Sequence, residues 1–508
     1  MAQPAAVKGG VFRPGASGIA SRVESPNIFS QIGLWRLSTK CEQLSKPYRP
    51  IQRIAATCTG QRQRARPCSP SVKLPRMPNT PAPASLIDSR QAAWRLLITL
   101  GLVVLGNSSM YVVSVVLPAV QAEFGVGRAD ASLPYTLMMV CLGIGGLWTG
   151  RMADRHGLMP VLCVGAVAVC GGFVWAGLSG SIWGFGLAHG LMGLIGASAT
   201  FAPLLADTAL WWNRRRGIAV AICASGNYIA GALWPPIVQH GIDSIGWRHT
   251  YVLMGLVCGV GMLLLALRMR QRAPMVLLDV SASAAPASPG GAAAAAPAPV
   301  ALDRSRPFGL RPVHAQLLLC VAGVACCVAM AMPQVHIVAY CTDLGFGAAR
   351  GAEMLSLMLA CGIVSRLVSG VICDRIGGVR TLLLGSALQG VGLALFLPFD
   401  GLVPLYVISA MFGLFQGGIV PAYAIIIREY FALQEAGARV GAVIMATLIG
   451  MALGGWMSGW IFDVTGSYQA AFINGMGWNL LNLSIVGWLY WRIRHQRGVV
   501  GRVQPRAG

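Results

Sequence analysis

Charge is scarce in this sequence. Only 11% of its 508 residues are Asp, Glu, Lys or Arg, whereas 55% are hydrophobic; soluble globular domains carry roughly 25% charged residues. A water-soluble globular protein is thereby excluded, and a lipid bilayer becomes the expected solvent. Lysine is rarer still, the four being Lys8, Lys40, Lys46 and Lys73. With none after Lys73, the hydrophobic part has no Walker-type Gly-Lys loop. It also has no His-Glu-x-x-His and no Gly-x-Ser-x-Gly, so no enzyme is expected. None of the 14 cysteines forms a Cys-x-x-Cys pair, and most, such as Cys141, Cys163, Cys170, Cys258 and Cys361, lie inside apolar runs. Neither a disulfide framework nor a metal site nor a cofactor is expected. Acidic residues are missing from mid-span, the nearest being Asp207 at the end of the fourth span.

What is abundant is arginine, in blocks. The net charge of +22 would suit nucleic acid, but the basic residues fall between apolar runs, which is the pattern of membrane topology. The first 76 residues hold 13 basic and 2 acidic residues and every lysine; from Met77 onward there are 26 arginines and 15 acidic residues. Residues 1–76 therefore read as a basic, disordered extension. Met77 is the alternative start of translation, and an Arg-rich targeting peptide or a tail on anionic lipid are its rivals.

A hydrocarbon core of ~30 Å takes about 20 apolar residues per helix. Twelve such runs occur, six on each side of an Ala/Pro/Ser/Gly stretch. The expected organisation is a six-helix bundle over 77–268, a cytoplasmic linker over 269–313, a second six-helix bundle over 314–492 and a cytoplasmic tail over 493–508. Placing both termini in the cytoplasm puts 22 of the 26 arginines after Met77 on that face, among them Arg214, Arg215, Arg216, Arg272 and Arg492. Only Arg128, Arg248 and Arg350 face outward. The expectation is a multi-pass protein of a bacterial inner membrane.

The halves repeat. Gly150, Asp154, Arg155 and Gly157 recur 220 positions later as Gly370, Asp374, Arg375 and Gly377. The same offset relates Glu123 and Gly125 to Asp343 and Gly345, and Asp243 and Gly246 to Asp463 and Gly466. One register over three separated landmarks means a duplicated fold whose halves move together. The two-fold relation brings Asp154 toward the start of the eleventh span, with Arg439, and Asp374 toward that of the fifth, with Arg214 to Arg216. A carboxylate at a helix N-terminus meets about half a positive charge, so the two motifs read as a conformational latch.

One arginine, Arg366, lies within a span. Eight residues before Asp374, it sits about 12 Å from that end of its helix, near mid-depth. A guanidinium there costs at least ~2.5 kcal/mol unless it meets water, a counter-charge or an anion. Its counterpart in the first half is Gly146. The asymmetry reads as a single anion site with bidentate geometry suited to a carboxylate. Other polar residues in spans are Tyr111, Asn227, Gln334 and His336, candidates for lining the cavity, and His189. The two histidines are the candidates for a proton relay.

Residues 77–508 resemble the major facilitator superfamily, and the doubled Asp-Arg-x-Gly motif carries that resemblance. Within it, Trp212-Asn213-Arg214-Arg215-Arg216 leading to Gly226, His336 through Tyr340 to Gly345, and Arg366 with Gly370 and Asp374 are similar to the monocarboxylate-porter and oxalate:formate-antiporter branch. The resemblance implies an all-α membrane protein of twelve transmembrane helices in two pseudo-symmetric bundles of six, with Arg366 binding a substrate carboxylate. It departs at Gly362, where animal porters of this kind carry Asp. The expected function is secondary transport of a small organic anion, monocarboxylate-like, by alternating access, with a proton or counter-anion and no nucleic acid. The alternatives are an exporter of amphipathic drugs and a non-transporting sensor on a carrier scaffold.

Overall fold

The computed structural model describes residues 86–271, 306–432 and 434–503. The basic extension over 1–76, Met77, Arg272, most of the linker and the last five residues lie outside them. Among the described residues the chain is helical, with no β-strand.

In lipid every backbone N–H and C=O must be satisfied within its own segment, so apolar runs become helices. The spans are α1 (Arg90–Phe124), α2 (Arg128–His156), α3 (Leu158–Leu178), α4 (Ile182–Trp211), α5 (Arg216–Ile245), α6 (Trp247–Leu267), α7 (Pro312–Asp343), α8 (Ala348–Ile376), α9 (Gly378–Leu395), α10 (Leu402–Tyr430), α11 (Ala436–Thr465) and α12 (Tyr468–Val503). Eleven of these are long and apolar enough to cross a membrane. α12 is diluted by Asn474, Asn479 and Asn482, the last two buried and bonded to Gln389 and Ser386 of α9.

The duplicated landmarks are turns. Gly125 and Gly345, Gly157 and Gly377, and Gly246 and Gly466 all take positive φ, between 62° and 89°, where a Cβ is penalised. The repeat thus conserves backbone shape at six helix ends. The bundles share a deeper feature. α4 opens into a π-helical turn over Met192–Ala197, and α10 breaks at Gly417 and Gly418; adding 220 to 192–197 gives 412–417, so both distortions fall at one register.

α1 and α7 form the centre, with Ser108 to Leu117 and Ala325 to Ala339 buried almost without interruption. α3, α6, α9 and α12 turn large apolar side chains outward, including Val167, Leu264, Val391 and Leu480, the pattern a lipid-facing ring needs. The halves meet mainly along two pairs, α2 with α11 and α5 with α8, with α1 also against α7. Thr136 of α2 donates to the carbonyl of Ala452 at 3.0 Å, and Ser356 of α8 donates to that of Ala232.

Candidate functional site

Arg366 lies on the α5–α8 seam and is half-buried. Its Nη1 donates to the Ala224 carbonyl of α5 at 3.0 Å and its Nε to the Gly417 carbonyl of α10 at 3.4 Å. The guanidinium carbon stands 4.5 Å from the ring centroid of Tyr228. Nη2 makes no hydrogen bond to a described residue. No carboxylate pairs with Arg366 among the described residues. A guanidinium has five N–H donors, and here two carbonyls and an aromatic face leave donors and the full charge uncompensated.

Local sequence explains this arrangement. The break at Gly417 turns a carbonyl out of the α10 ladder toward Arg366, while the Gly417 N–H is taken by Ser365 Oγ at 3.1 Å. Broken or π-distorted turns are a recurrent source of such free backbone groups at functional sites. Gly362, one turn before the arginine, lies against Tyr228: a Cβ there would stand 2.6 Å from Cε1. The ring occupies the volume that a side chain at 362 would need. One turn along α5, Gly231 leaves room for Tyr111, whose Cζ would lie 2.9 Å from a Cβ at that position.

Of the residues expected from the sequence, the structure gathers Arg366 and Tyr111 around Tyr228, the arginine over its ring and Tyr111 against Gly231 one turn along α5. Asn227 is on the adjoining turn, with Oδ1 buried and unpartnered among the described residues. Gln334 donates to Gln416 Oε1 at 2.9 Å, and Gln416, beside Gly417, keeps a buried Nε2 without a partner. His336 lies elsewhere, bonded to Tyr468 and the Gly455 carbonyl. His189 is inside the first half, with Nδ1 on the Phe185 carbonyl at 2.8 Å and the ring packed against Phe185 and Tyr251.

Sequence reasoning missed Tyr228, Gln416 and Tyr135, whose hydroxyl is buried and unpartnered on the α2–α11 seam. The available signals were Tyr228 next to Asn227 and the Gly417-Gly418 pair inside a span. It also missed Arg95, which forms a buried ion pair with Asp207 at 2.9 Å and lies 4.6 Å from the Trp211 ring centroid.

The latch residues are not brought together. Among the described residues Asp154 and Asp374 have no ion-pair partner. Arg439 pairs with Glu435, the residue that precedes its own helix, at 2.5 Å, and Asp154 faces a cavity of about 570 Å³ lined also by Asp207 and Arg270. The glycines show why. On the contact faces, Gly143 meets Met445, Gly455 meets Tyr135, and Gly362 meets Tyr228. The same faces continue to Gly150 on α2, Gly441 on α11, Gly370 on α8 and Gly217 on α5, none with a neighbour within 4 Å of its Cβ position. The halves are in contact at the end away from the motifs and splayed at the motif end.

A family model described as Major Facilitator Superfamily matches residues 97–403 and 317–506. Monocarboxylate transporter 13 of Rattus norvegicus is 28% identical over 336 residues, covering 63% of this chain and 71% of that protein. Monocarboxylate transporter 11 of Homo sapiens is 26% identical over 343 residues, covering 63% and 66%. Among solved structures, a bacterial homologue of the lysosomal transporter Spinster, inward-facing and occupied, aligns with TM-score 0.59 at 14% identity over 79% of this chain and 97% of that one. A peptide transporter POT bound to alafosfalin aligns with TM-score 0.60 at 13% identity over 78% and 94%. These two likenesses concern the fold alone. The named curated relatives are animal proteins, so the expectation of a bacterial membrane gains nothing from them.

Proposed function

This chain belongs to the Major Facilitator Superfamily, and we propose that it is a secondary active transporter of small organic anions, monocarboxylates foremost. The observation that carries the reading is Arg366: a guanidinium near mid-depth, on a seam between the halves, with no carboxylate partner and no hydrogen bond from Nη2 among the described residues. Keeping such a charge inside lipid is costly unless a negative group meets it. A carboxylate presents two oxygens to the guanidinium fork. Tyr111 and Asn227 are the neighbours that would orient the rest of the anion, with Gln334 acting through Gln416.

Transport follows by alternating access. The arginine distribution puts the motif end, the linker and both termini in the cytoplasm, so the splayed arrangement is inward-open. In the opposite state Asp154 and Asp374 would reach the N-termini of α11 and α5 as Gly150, Gly441, Gly370 and Gly217 close together. An exporter of amphipathic cations lacks support, because no mid-span carboxylate is available to bind its cargo.

The test is uptake of labelled acetate, lactate, pyruvate and oxalate by the full chain in proteoliposomes. Saturable uptake of at least one is expected, lost in Arg366→Ala with the folded fraction unchanged. Undiminished uptake by that variant removes the assignment.

A further inference from the structure

At the end away from the motifs, one residue of the first half is held by the second through four groups. The backbone N–H of Arg128 and that of Ala129 donate to the Asp463 carboxylate at 2.7 and 2.8 Å, so a carboxylate from α11 caps the N-terminus of α2. Arg128 Nη2 donates to Asp343 at 2.6 Å and Nη1 to the Tyr468 hydroxyl at 2.8 Å. The guanidinium carbon lies 4.5 Å from the Phe462 ring centroid.

The 220-residue register shows that this clasp exists on one seam. The first-half counterparts of Asp343 and Tyr468 are Glu123 and Arg248, which pair with each other at 2.7 Å. In the second half tyrosine replaces that arginine, and Asp343 takes its cation from across the seam. On the other seam Arg128 corresponds to Ala348, and Asp243, the counterpart of Asp463, accepts among the described residues only from Gln239 of its own helix.

The clasp ends on a histidine. His336 is wholly buried; its Nε2 lies 2.8 Å from the Gly455 carbonyl and its Nδ1 3.0 Å from the Tyr468 hydroxyl. A carbonyl only accepts, so Nε2 carries the hydrogen and Nδ1 is left to accept from Tyr468, whose oxygen accepts from Arg128. The charged and titratable groups around the ring are Arg128 from α2, Asp463 from α11 and Tyr468 from α12, with Asp343 and Tyr340 of α7 one step out, against Arg128 and Tyr468. On α8, Arg350 and Glu353 pair with each other at the exposed rim. A second hydrogen, on Nδ1, would expel the Tyr468 donor and place a second positive charge beside Arg128.

We propose that His336 is a proton-binding site that sets the clasp: the α2–α11 seam closes only over the neutral ring, and a proton taken up when the halves part at this end holds them apart. The inference rests on the alternating-access reading above. Acid favours the state that binds the proton, hence the parted one. Closure returns the proton to the side from which it came, so His336 regulates turnover by external acid and does not carry a proton across.

Hydrogen–deuterium exchange on the full chain in lipid nanodiscs tests this, at about pH 7.5 and about pH 5.5, either side of an ordinary imidazole pKa of ~6.5, with intrinsic rates corrected. In wild-type protein the segments 124–131 and 460–468 are expected to lose protection about 5-fold or more in acid. His336→Gln, which keeps a donor and an acceptor but cannot titrate, should show no acid response. An acid response in His336→Gln equal to wild type, or none in wild type, overturns the proposal. If Arg128→Ala at neutral pH neither loosens these segments nor protects 150–157 and 436–441, the rocking motion itself is refuted.

Discussion

The guanidinium of Arg366 stands 4.5 Å from the ring centroid of Tyr228, and that ring fills the space above Gly362. Where a carboxylate one turn away would neutralise the arginine permanently, an aromatic face lends partial stabilisation and leaves its net charge in place. The charge thus remains available to a ligand.

Arg366→Lys should therefore fail as a conservative change. An ammonium keeps the charge but loses the planar fork and the stacking. With charge-assisted hydrogen bonds contributing about 1.5–3 kcal/mol, uptake efficiency should fall roughly 10- to 100-fold, read as kcat/KM for the preferred anion in proteoliposomes. A lysine variant at wild-type efficiency argues against bidentate recognition.

Gly362→Asp should do two separable things. Its Cβ would press on Tyr228, lowering the melting temperature, and its carboxylate would compete with the anion for Arg366. Adding Tyr228→Ala should restore stability without restoring uptake. Recovery of both in the double variant would mean that the carboxylate does not compete.

Gly150→Leu should leave the melting temperature nearly unchanged, because nothing lies within 4 Å of its Cβ position and such substitutions stay within about ±0.5 kcal/mol. Uptake should nevertheless collapse, since the α2–α11 seam must close there in the opposite state. A substitution at Gly459, whose Cβ would stand 2.6 Å from the Arg128 carbonyl oxygen, should unfold the protein or part the clasp. If Gly150→Leu transports normally, the seam does not close over that position.

Arg95→Ala breaks a pair whose side chains are only 8% and 12% exposed, stranding the Asp207 carboxylate. Such removals cost about 3–5 kcal/mol. A clear fall in thermal stability is expected, with Asp207→Asn milder than Arg95→Ala because a neutral amide can still accept from the arginine. Equal stability of wild type and Arg95→Ala would mean that water replaces the lost partner.

Much of the architecture was legible because the bilayer is a severe solvent. Apolar runs gave the spans, and the six turn glycines gave the repeat, since positive φ ties residue type to backbone shape. Arg366 stood out because a charge within a span is rare. α12 was legible as a run but not in its interior role: Asn479 and Asn482 look like breaks in hydrophobicity and are buried links to α9.

The composition, the 220-residue register and one mid-span arginine thus determined by themselves a duplicated helical membrane protein with a single cationic position. They did so through local rules, in which hydropathy, glycine and charge each act on their own segment. Tertiary structure decided what meets that arginine and which end of the molecule is closed. Tyr228 is 138 positions from Arg366, and Arg128 is 215 from Asp343 and 340 from Tyr468. Such pairings depend on how two rigid bundles are rotated against each other, and the rotation is a balance of contacts at the two ends of the seams that no single segment encodes.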